Sequence, residues 1–420
     1  MRNNTIASAA RIWLTRTFKP FEFTSKYEDD LPFSRCDDLG LYIHIPFCRR
    51  ICKFCPYCKT YYQKEICDKY IEALIKEIHM IGGKTKAKKK VTSLYFGGGT
   101  PALAAERLPE IISAVGEHFY ITDGIGTELH PDNVTVSLLT QLRSAGVTKI
   151  SIGVQSFGRK YANILGREPT DIKVLKYALS KVKFDTVSID LIFALPHQTF
   201  ADIKKDIDTA FYVGGNHVAI YPFIDFTFTK SKIPAMNNPE KKILLEKTVK
   251  YCTSKGYERT SIWTFSSVKN AEYSSMTRDN FLGFGCSATT LLKDRFKINT
   301  FSVKEYCRRI ENKMLPTSLT IHFTKRQRMV YYLFWKLYST QLDPADFERF
   351  FGTKLGRMYG AELFLGVCFG LLERRNGKYL LTAKGTYYYH FFENFYTLSY
   401  IDKMWGIMRR RAFPEKMILK

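Results

Sequence analysis

Four cysteines, Cys48, Cys52, Cys55 and Cys58, fall within eleven residues of a 420-residue chain that has ten in all. In a chain this long, clustered thiols read as metal or redox chemistry rather than as a disulfide scaffold. The first three form CRRICKFC, directly after the apolar run LYIHIP. Three thiolates at this CxxxCxxC spacing can bind three irons of a cubane [4Fe–4S] cluster and leave the fourth iron open to a chelating ligand. The competing reading is zinc. Zinc sites usually pair one CxxC with another elsewhere in the chain, and residues 48–58 contain the only such spacing. Cys58 stays open between three readings: a spare thiol near the cluster, a catalytic thiol, or a buried neutral one. The remaining cysteines, Cys36, Cys67, Cys252, Cys286, Cys307 and Cys368, are dispersed and read as small apolar residues.

A loop bearing such chemistry needs a scaffold, and the surrounding sequence repeats a strand–helix alternation from Leu41 onward. The apolar runs LYIHIP, VTSLYFGGG, GIGTELHP, VTKISIGVQSF, DTVSIDLIFALP and HVAIYPF read as strands. Between them, helical spacing runs through Tyr70–Ile81, LPEIISAVGEHF, VSLLTQLRSAG (closed by Gly146), VLKYALSKV and FADIKKDIDTAFYVGG. Strands alternating with helices of about 10–15 residues indicate βαβ units and a parallel sheet. Continuous apolar strands mean a sheet covered on both faces. Six units fit either an open doubly wound sheet or a partial barrel, and both place their chemistry at the C-terminal strand ends. The unusual residues lie there: the cysteines after strand one, Gly97, Gly98 and Gly99 after two, Glu128 at three, Gln155 at four and Asp190 at five. An aspartate in an apolar strand needs a partner if buried.

These blocks resemble a known family. YIHIPFCRRICKFC is similar to the cluster motif of radical S-adenosylmethionine (SAM) enzymes, and in particular to the oxygen-independent coproporphyrinogen III dehydrogenase-like group. The similarity continues in order through YFGGGTPA, TELHP, ISIGVQSF, LGR and SIDLIFALP. It covers Leu41 to Phe223 strongly and the later chain more weakly. The resemblance implies an α/β fold: a partial (β/α)6 barrel over residues 39–225 with the cluster at its open end. The expected domains are an N-terminal arm over residues 1–38, the barrel, an extension over 226–320 that covers the active site, and a small C-terminal domain over 321–420. In the last of these, three helical segments followed by RRNGKYLL, with an Asn-Gly turn at Asn376–Gly377, read as a winged-helix-like module.

The resemblance also implies the cofactors. Cys48, Cys52 and Cys55 hold a [4Fe–4S] cluster whose open iron chelates SAM and cleaves it reductively to a 5′-deoxyadenosyl radical. Tyr42, Gly98 and Glu128 hold that first SAM, with Tyr42 and Cys58 as candidate catalytic residues. The contacts of a second SAM in the dehydrogenase map onto Phe54, Gly99, Thr100, Gln155, Arg167 and Asp190, so two SAM molecules per active site are expected. An electron donor such as flavodoxin or ferredoxin belongs to the same picture. The glycines independently suit close backbone approach to a ligand.

Two departures shape the functional expectation. Cys58 follows Cys55 by three residues, where the dehydrogenase pattern has two. The related heme chaperones carry HNxxYW, and the comparable stretch here, IWTFSSVKNAEYSSMTRDNFLGFG, has no histidine. The sequence resembles the branch that includes class C radical SAM methyltransferases, which act on flat hydrophobic substrates, tetrapyrroles among them. Methyl transfer is therefore the first expectation and oxidative decarboxylation of coproporphyrinogen III the alternative, with a heme-binding relative behind it. Tyr273, Ser274, Thr277 and Arg278 are candidates to line the substrate pocket or to form a structural turn.

The chain carries 64 Lys and Arg against 40 Asp and Glu, a formal charge of +24, which concentrates anions near its surface. The densest run, Lys84, Lys86, Lys88, Lys89 and Lys90, reads as a solvated loop, and no specific nucleic-acid partner is expected. The segment GAELFLGVCFGLLERR is too apolar for a nucleic-acid groove and is expected to pack over the active site. The aromatic, basic tail ending in Arg409, Arg410 and Arg411 reads either as a cap on the barrel or as an amphipathic helix on an anionic membrane. No run reaches ~20 consecutive apolar residues, and the N-terminus lacks the apolar core of a secretory signal. A cytoplasmic location is expected, with peripheral membrane contact as the tail's second reading.

Overall fold

The computed structural model describes residues 2–26, 31–229, 234–268 and 279–419. The six apolar runs form parallel strands β1 (Leu39–Ile45), β2 (Leu94–Gly98), β3 (Ile125–Leu129), β4 (Val147–Gln155), β5 (Thr186–Phe193) and β6 (His217–Pro222), adjacent in sequence order. Helices α1 (Lys64–Gly82), α2 (Leu108–His118), α3 (Val136–Ser144), α4 (Ile172–Lys181) and α5 (Phe200–Tyr212) connect them. In β1, Leu39, Leu41, Ile43 and Ile45 are fully buried, worth ~1.5–3 kcal/mol each relative to exposure. Thr135, Asp171 and Thr199 accept hydrogen bonds from first-turn backbone N–H groups of α3, α4 and α5, each contributing about 1 kcal/mol.

The parallel array does not close. Beyond β6 it gains the antiparallel strands Thr264–Ser266 and Glu258–Ser261. On the β1 side, Asn280–Phe284 adds a further parallel strand, with Phe284 opposite Ile43. An antiparallel meander follows through Thr289–Leu292, Arg295–Asn299 and Thr317–His322. The sheet then takes up both ends of the chain: Phe21–Thr24 pairs with Thr317–His322 on one side and with Lys416–Leu419 on the other. All fourteen strands belong to one sheet.

The winged-helix-like module has helices Lys325–Tyr338, Pro344–Phe351 and Leu355–Cys368 and a three-stranded sheet. Its hairpin turns at Asn376 (φ +50°) and Gly377 (φ +78°), the left-handed pair that an Asn-Gly turn supplies. One expectation is corrected here. The GAELFLGVCFG segment does not pack over the active site: Phe364 and Phe369 are 67% and 62% exposed. Its helix buries Leu355, Tyr359 and Leu363 within the module's own core, and the apolar surplus faces outward. No helix among the described residues is long and apolar enough to cross a membrane.

Candidate active site

The cluster loop leaves the end of β1, and its base is tied by a short parallel pairing of Phe47–Cys48 with Thr60–Tyr61. Cys48, Cys52 and Cys55 are free thiols. Thr100 Oγ1 donates to Cys48 Sγ at 3.7 Å, and Arg167 Nε donates to Cys52 Sγ at 3.0 Å. Lys59 Nζ donates to the Cys55 carbonyl. Burial pushes the Cys48 thiol up to about 11, with the Thr100 hydroxyl acting in the opposite direction. Bound iron would override that preference, because a coordinating thiol is deprotonated outright. Hydrogen-bond donors and cations around three thiols on one loop fit an iron–sulfur cluster, whose sulfur ligands are stabilised by such contacts.

Opposite the loop, the β2 glycines sit where a side chain has no room. Gly98 adopts φ +117°, and a Cβ there would lie 2.6 Å from the His44 ring. A Cβ on Gly99 would meet the Phe47 backbone at 2.6 Å. The glycines therefore let β2 close onto the start of the cluster loop, which the sequence alone did not reveal. The Gly98 N–H donates to Glu128 Oε2 at 3.0 Å. Glu128 is raised to about 7, chiefly by burial, with the Gly98 N–H opposing. Tyr42 Oη pairs with His44 Nδ1 at 3.0 Å, and the Tyr42 ring stacks on Tyr95. Burial raises the Tyr42 hydroxyl well above its ordinary range.

Arg167 is the hub of the other flank. Besides Cys52 it contacts the Gly153 carbonyl, and its guanidinium lies 5.5 Å from the Phe54 ring centroid. It comes from the turn after Ala162–Leu165, which Gly166 ends at φ +63°. Asp190 accepts from Ser151 Oγ at 2.7 Å and Ser188 Oγ at 3.2 Å. Burial raises it to about 6, with the two serines and Arg167 pulling it down. Gln155, at the end of β4, holds φ +73°, a conformation rare outside glycine that clusters at functional sites. Phe54, Thr100, Arg167 and Asp190 are thus joined by contacts or fields that run to the cluster thiols.

Cys58 belongs to a different neighbourhood. Its Sγ donates to the Phe301 carbonyl at 3.2 Å, and its own carbonyl is 2.9 Å from His44 Nε2. The Cys48 thiol feels Cys55 and Cys52, whereas Cys58 is held by Cys286 and His44. Tyr273, Ser274, Thr277 and Arg278 lie outside the described residues.

Three groups escaped the sequence reading. Ser151 and Ser188 face each other in the β4–β5 register, and Ser188, two residues before Asp190, shares its face of the strand, a signal that was available. His44, two after Tyr42, offered the same period-two signal. Arg409 offered none, since it lies more than three hundred residues from the loop. The tail folds into a helix, Asp402–Arg410. Arg409 donates to the Pro56 carbonyl and lies 4.7 Å over Phe228. Trp405 meets Tyr57 at 5.9 Å, and Asp402 accepts from the Thr227 N–H at 2.9 Å.

A family model for the radical SAM superfamily matches residues 42–210, the span that carries the cysteines, the glycines, Glu128, Gln155, Arg167 and Asp190. This chain carries a radical SAM domain. The radical SAM domain implies a [4Fe–4S] cluster and SAM. The heme chaperone HemW of Bacillus subtilis is 25% identical over 82% of this chain and 95% of its own. An oxygen-independent coproporphyrinogen III oxidase of Synechocystis is 25% identical over 72% of this chain and 70% of its own. HemW of Lactococcus lactis reaches 33% identity, over 44% of this chain and 48% of that chaperone, so this match spans about half of the relative. The crystal structure of coproporphyrinogen III oxidase (HemN) from Escherichia coli superposes with a TM-score of 0.75, covering 91% of this chain and 97% of that one at 22% identity. It shares the fold.

Proposed function

We propose that this radical SAM enzyme acts on a tetrapyrrole of the coproporphyrinogen type and oxidatively decarboxylates its propionate side chains. The observation that carries the reading is the cluster loop, three free thiols with Thr100 and Arg167 donating to two of them and the glycines of β2 and a half-buried Glu128 opposite. The name of the Synechocystis relative supports this substrate class over the indoles, quinones and other flat molecules open to methyltransferases. Methyl transfer, the first expectation, uses the same residues and is not favoured by the names of the relatives above. The chaperone reading has relatives by name, but the comparable stretch lacks a histidine.

Cys48, Cys52 and Cys55 would hold the cluster, which supplies the electron that cleaves SAM to methionine and a 5′-deoxyadenosyl radical. Tyr42, Gly98 and Glu128 would orient the first SAM, the Glu128 carboxylate accepting from its amine or ribose. Phe54, Gly99, Thr100, Gln155, Arg167 and Asp190 would hold a second, with Arg167 to pair with its carboxylate and Asp190 to accept from its ribose hydroxyls. A propionate carbon gives up one hydrogen atom to the radical; the side chain then loses carbon dioxide and one electron and becomes a vinyl group. That electron leaves to an external acceptor, and a flavodoxin or ferredoxin supplies the one that starts turnover.

The test is anaerobic incubation of the reconstituted enzyme with SAM, dithionite and coproporphyrinogen III, followed by mass spectrometry. 5′-Deoxyadenosine together with carbon dioxide and a vinyl product is expected. S-adenosylhomocysteine with a methylated product would replace this reading by methyl transfer. Heme binding without SAM cleavage would replace it by a carrier.

A further inference from the structure

We propose that His44, Cys58 and Cys286 form a second metal site, distinct from the cluster, that takes one zinc ion. One ligand atom from each residue lies within 4.8 Å of the other two, and all three residues are buried. Three separate elements bring them together. His44 is on β1, Cys58 ends the cluster loop, and Cys286 follows the strand Asn280–Phe284, which pairs with β1 in parallel with Phe284 opposite Ile43. The turn that delivers Cys286 depends on Gly285, at φ +95°, where a Cβ would lie 2.5 Å from Tyr70 Oη and 2.7 Å from the His44 carbonyl. The His44 ring is confined by Gly98, as described above.

The ligand chemistry fits. Two thiolates and one imidazole form a soft donor set that suits zinc. A metal-bound histidine almost always donates its second N–H to an oxygen partner. Nε2 faces the Cys58 carbonyl at 2.9 Å; if it exchanged that contact for the metal, Nδ1–H would donate to Tyr42 Oη, 3.0 Å away. The Phe301 carbonyl, 3.2 Å from Cys58 Sγ, is an oxygen placed to complete a four-coordinate set. Zinc binding would displace the thiol protons of Cys58 and Cys286.

The site has a structural consequence. Zinc would tie the C-terminal end of the cluster loop to β1 and to the strand beyond it. It would also remove Cys58 from the chemistry of the open iron and explain a thiol the cluster does not need. None of this depends on the tetrapyrrole reading.

The test uses the full chain with its cluster reconstituted, so that Cys48, Cys52 and Cys55 are occupied, and zinc chloride as the probe. A His118→Ala background removes the partly exposed trio of His79, Glu117 and His118, which is the other group with ligand spacing among the described residues. One tightly held zinc per chain is expected, surviving passage over a chelating resin. Cys286→Ser should weaken it at least tenfold, and Tyr42→Phe by roughly ten- to hundredfold, as for outer-shell partners generally. X-ray absorption on the zinc of unsubstituted protein should show two sulfur ligands and an imidazole, a readout that needs no variant to fold. Absence of tight zinc, zinc with only nitrogen and oxygen neighbours, undiminished binding in Cys286→Ser, or a Cys58–Cys286 disulfide in metal-free anaerobic protein would each overturn the assignment.

Discussion

At the scale of single residues, the carboxylates Glu128 and Asp190 make separable predictions. Cys52→Ala removes a proposed cluster ligand and should abolish both the brown chromophore and all 5′-deoxyadenosine formation. Asp190→Ala should leave the chromophore and its reduction intact, because Asp190 bonds to Ser151 and Ser188 rather than to the loop. If Asp190 holds a second SAM as proposed, loss of a charge-assisted hydrogen bond of ~1.5–3 kcal/mol should weaken that SAM roughly ten- to hundredfold. Product should fall far more than slow, uncoupled 5′-deoxyadenosine release. If Asp190→Ala stopped SAM cleavage as fully as Cys52→Ala with the cluster present, Asp190 would belong to the first SAM.

Glu128 predicts two opposite pH trends. Its acid is raised from 4.5 to about 7 by burial, so the folded chain holds a proton that the unfolded chain releases. The stability this contributes is present below about 4.5 and is lost as pH rises through about 7. SAM binding should run the other way, since the ionised carboxylate is the better acceptor. Denaturation midpoints of the cluster-free protein and SAM affinity of the cluster-loaded protein, measured from pH 5.5 to 8 (roughly the span about this value), should therefore diverge. Glu128→Gln should flatten both curves. Parallel trends would mean that Glu128 does not face SAM.

Among the elements, the tail helix Asp402–Arg410 has the most direct hold on the chemistry. Arg409 satisfies the Pro56 carbonyl inside the cluster loop, and Trp405 packs on Tyr57. Arg409→Leu leaves that carbonyl unpaired, at about 1–3 kcal/mol. The loop should then release iron to a chelator several times faster, with less iron per chain after reconstitution, and Arg409→Lys should recover part of the loss. Unchanged iron content and bleaching rate in Arg409→Leu would mean that the helix merely covers the loop. The sequence offered the tail as either cap or membrane helix because an amphipathic, aromatic stretch satisfies both patterns. Its buried face, with Met404 and Met408, is decided by partners far along the chain. The βα units were legible for the converse reason. Each strand is a local apolar run, with Glu128 and Gln155 at the C-terminal ends of β3 and β4 and Asp190 within β5, so these residues could be placed without knowing any long-range contact. His44 and Cys286 could not be linked that way, since their meeting depends on a strand that follows the barrel by some sixty residues of unpatterned sequence.

For the whole molecule, the same distinction between local and distant pairing governs how the ends of the chain behave. Phe21–Thr24 is a four-residue strand, too short for a periodic signal, and its partners are Thr317–His322 and Lys416–Leu419. The region read from sequence as an arm is therefore an internal strand of the one sheet. Lys416–Leu419 covers its outer side and buries Met417 and Leu419 against Phe23, Leu319 and Ile321. Each such side chain contributes ~1.5–3 kcal/mol, and the strand also shields backbone groups that would otherwise form an open edge. Deleting residues 415–420 should lower the thermal midpoint by several degrees and make the protein self-associate at concentrations where the full chain does not. The tail helix ends at Arg410, before the deletion, and keeps its contacts to Pro56 and Thr227. Iron content per folded chain should therefore stay at the full-length value, measured on the monomeric fraction from size-exclusion chromatography. A deletion that emptied the cluster site without lowering the thermal midpoint would reverse the assignment, making the final strand a support of the loop rather than a closure of the sheet.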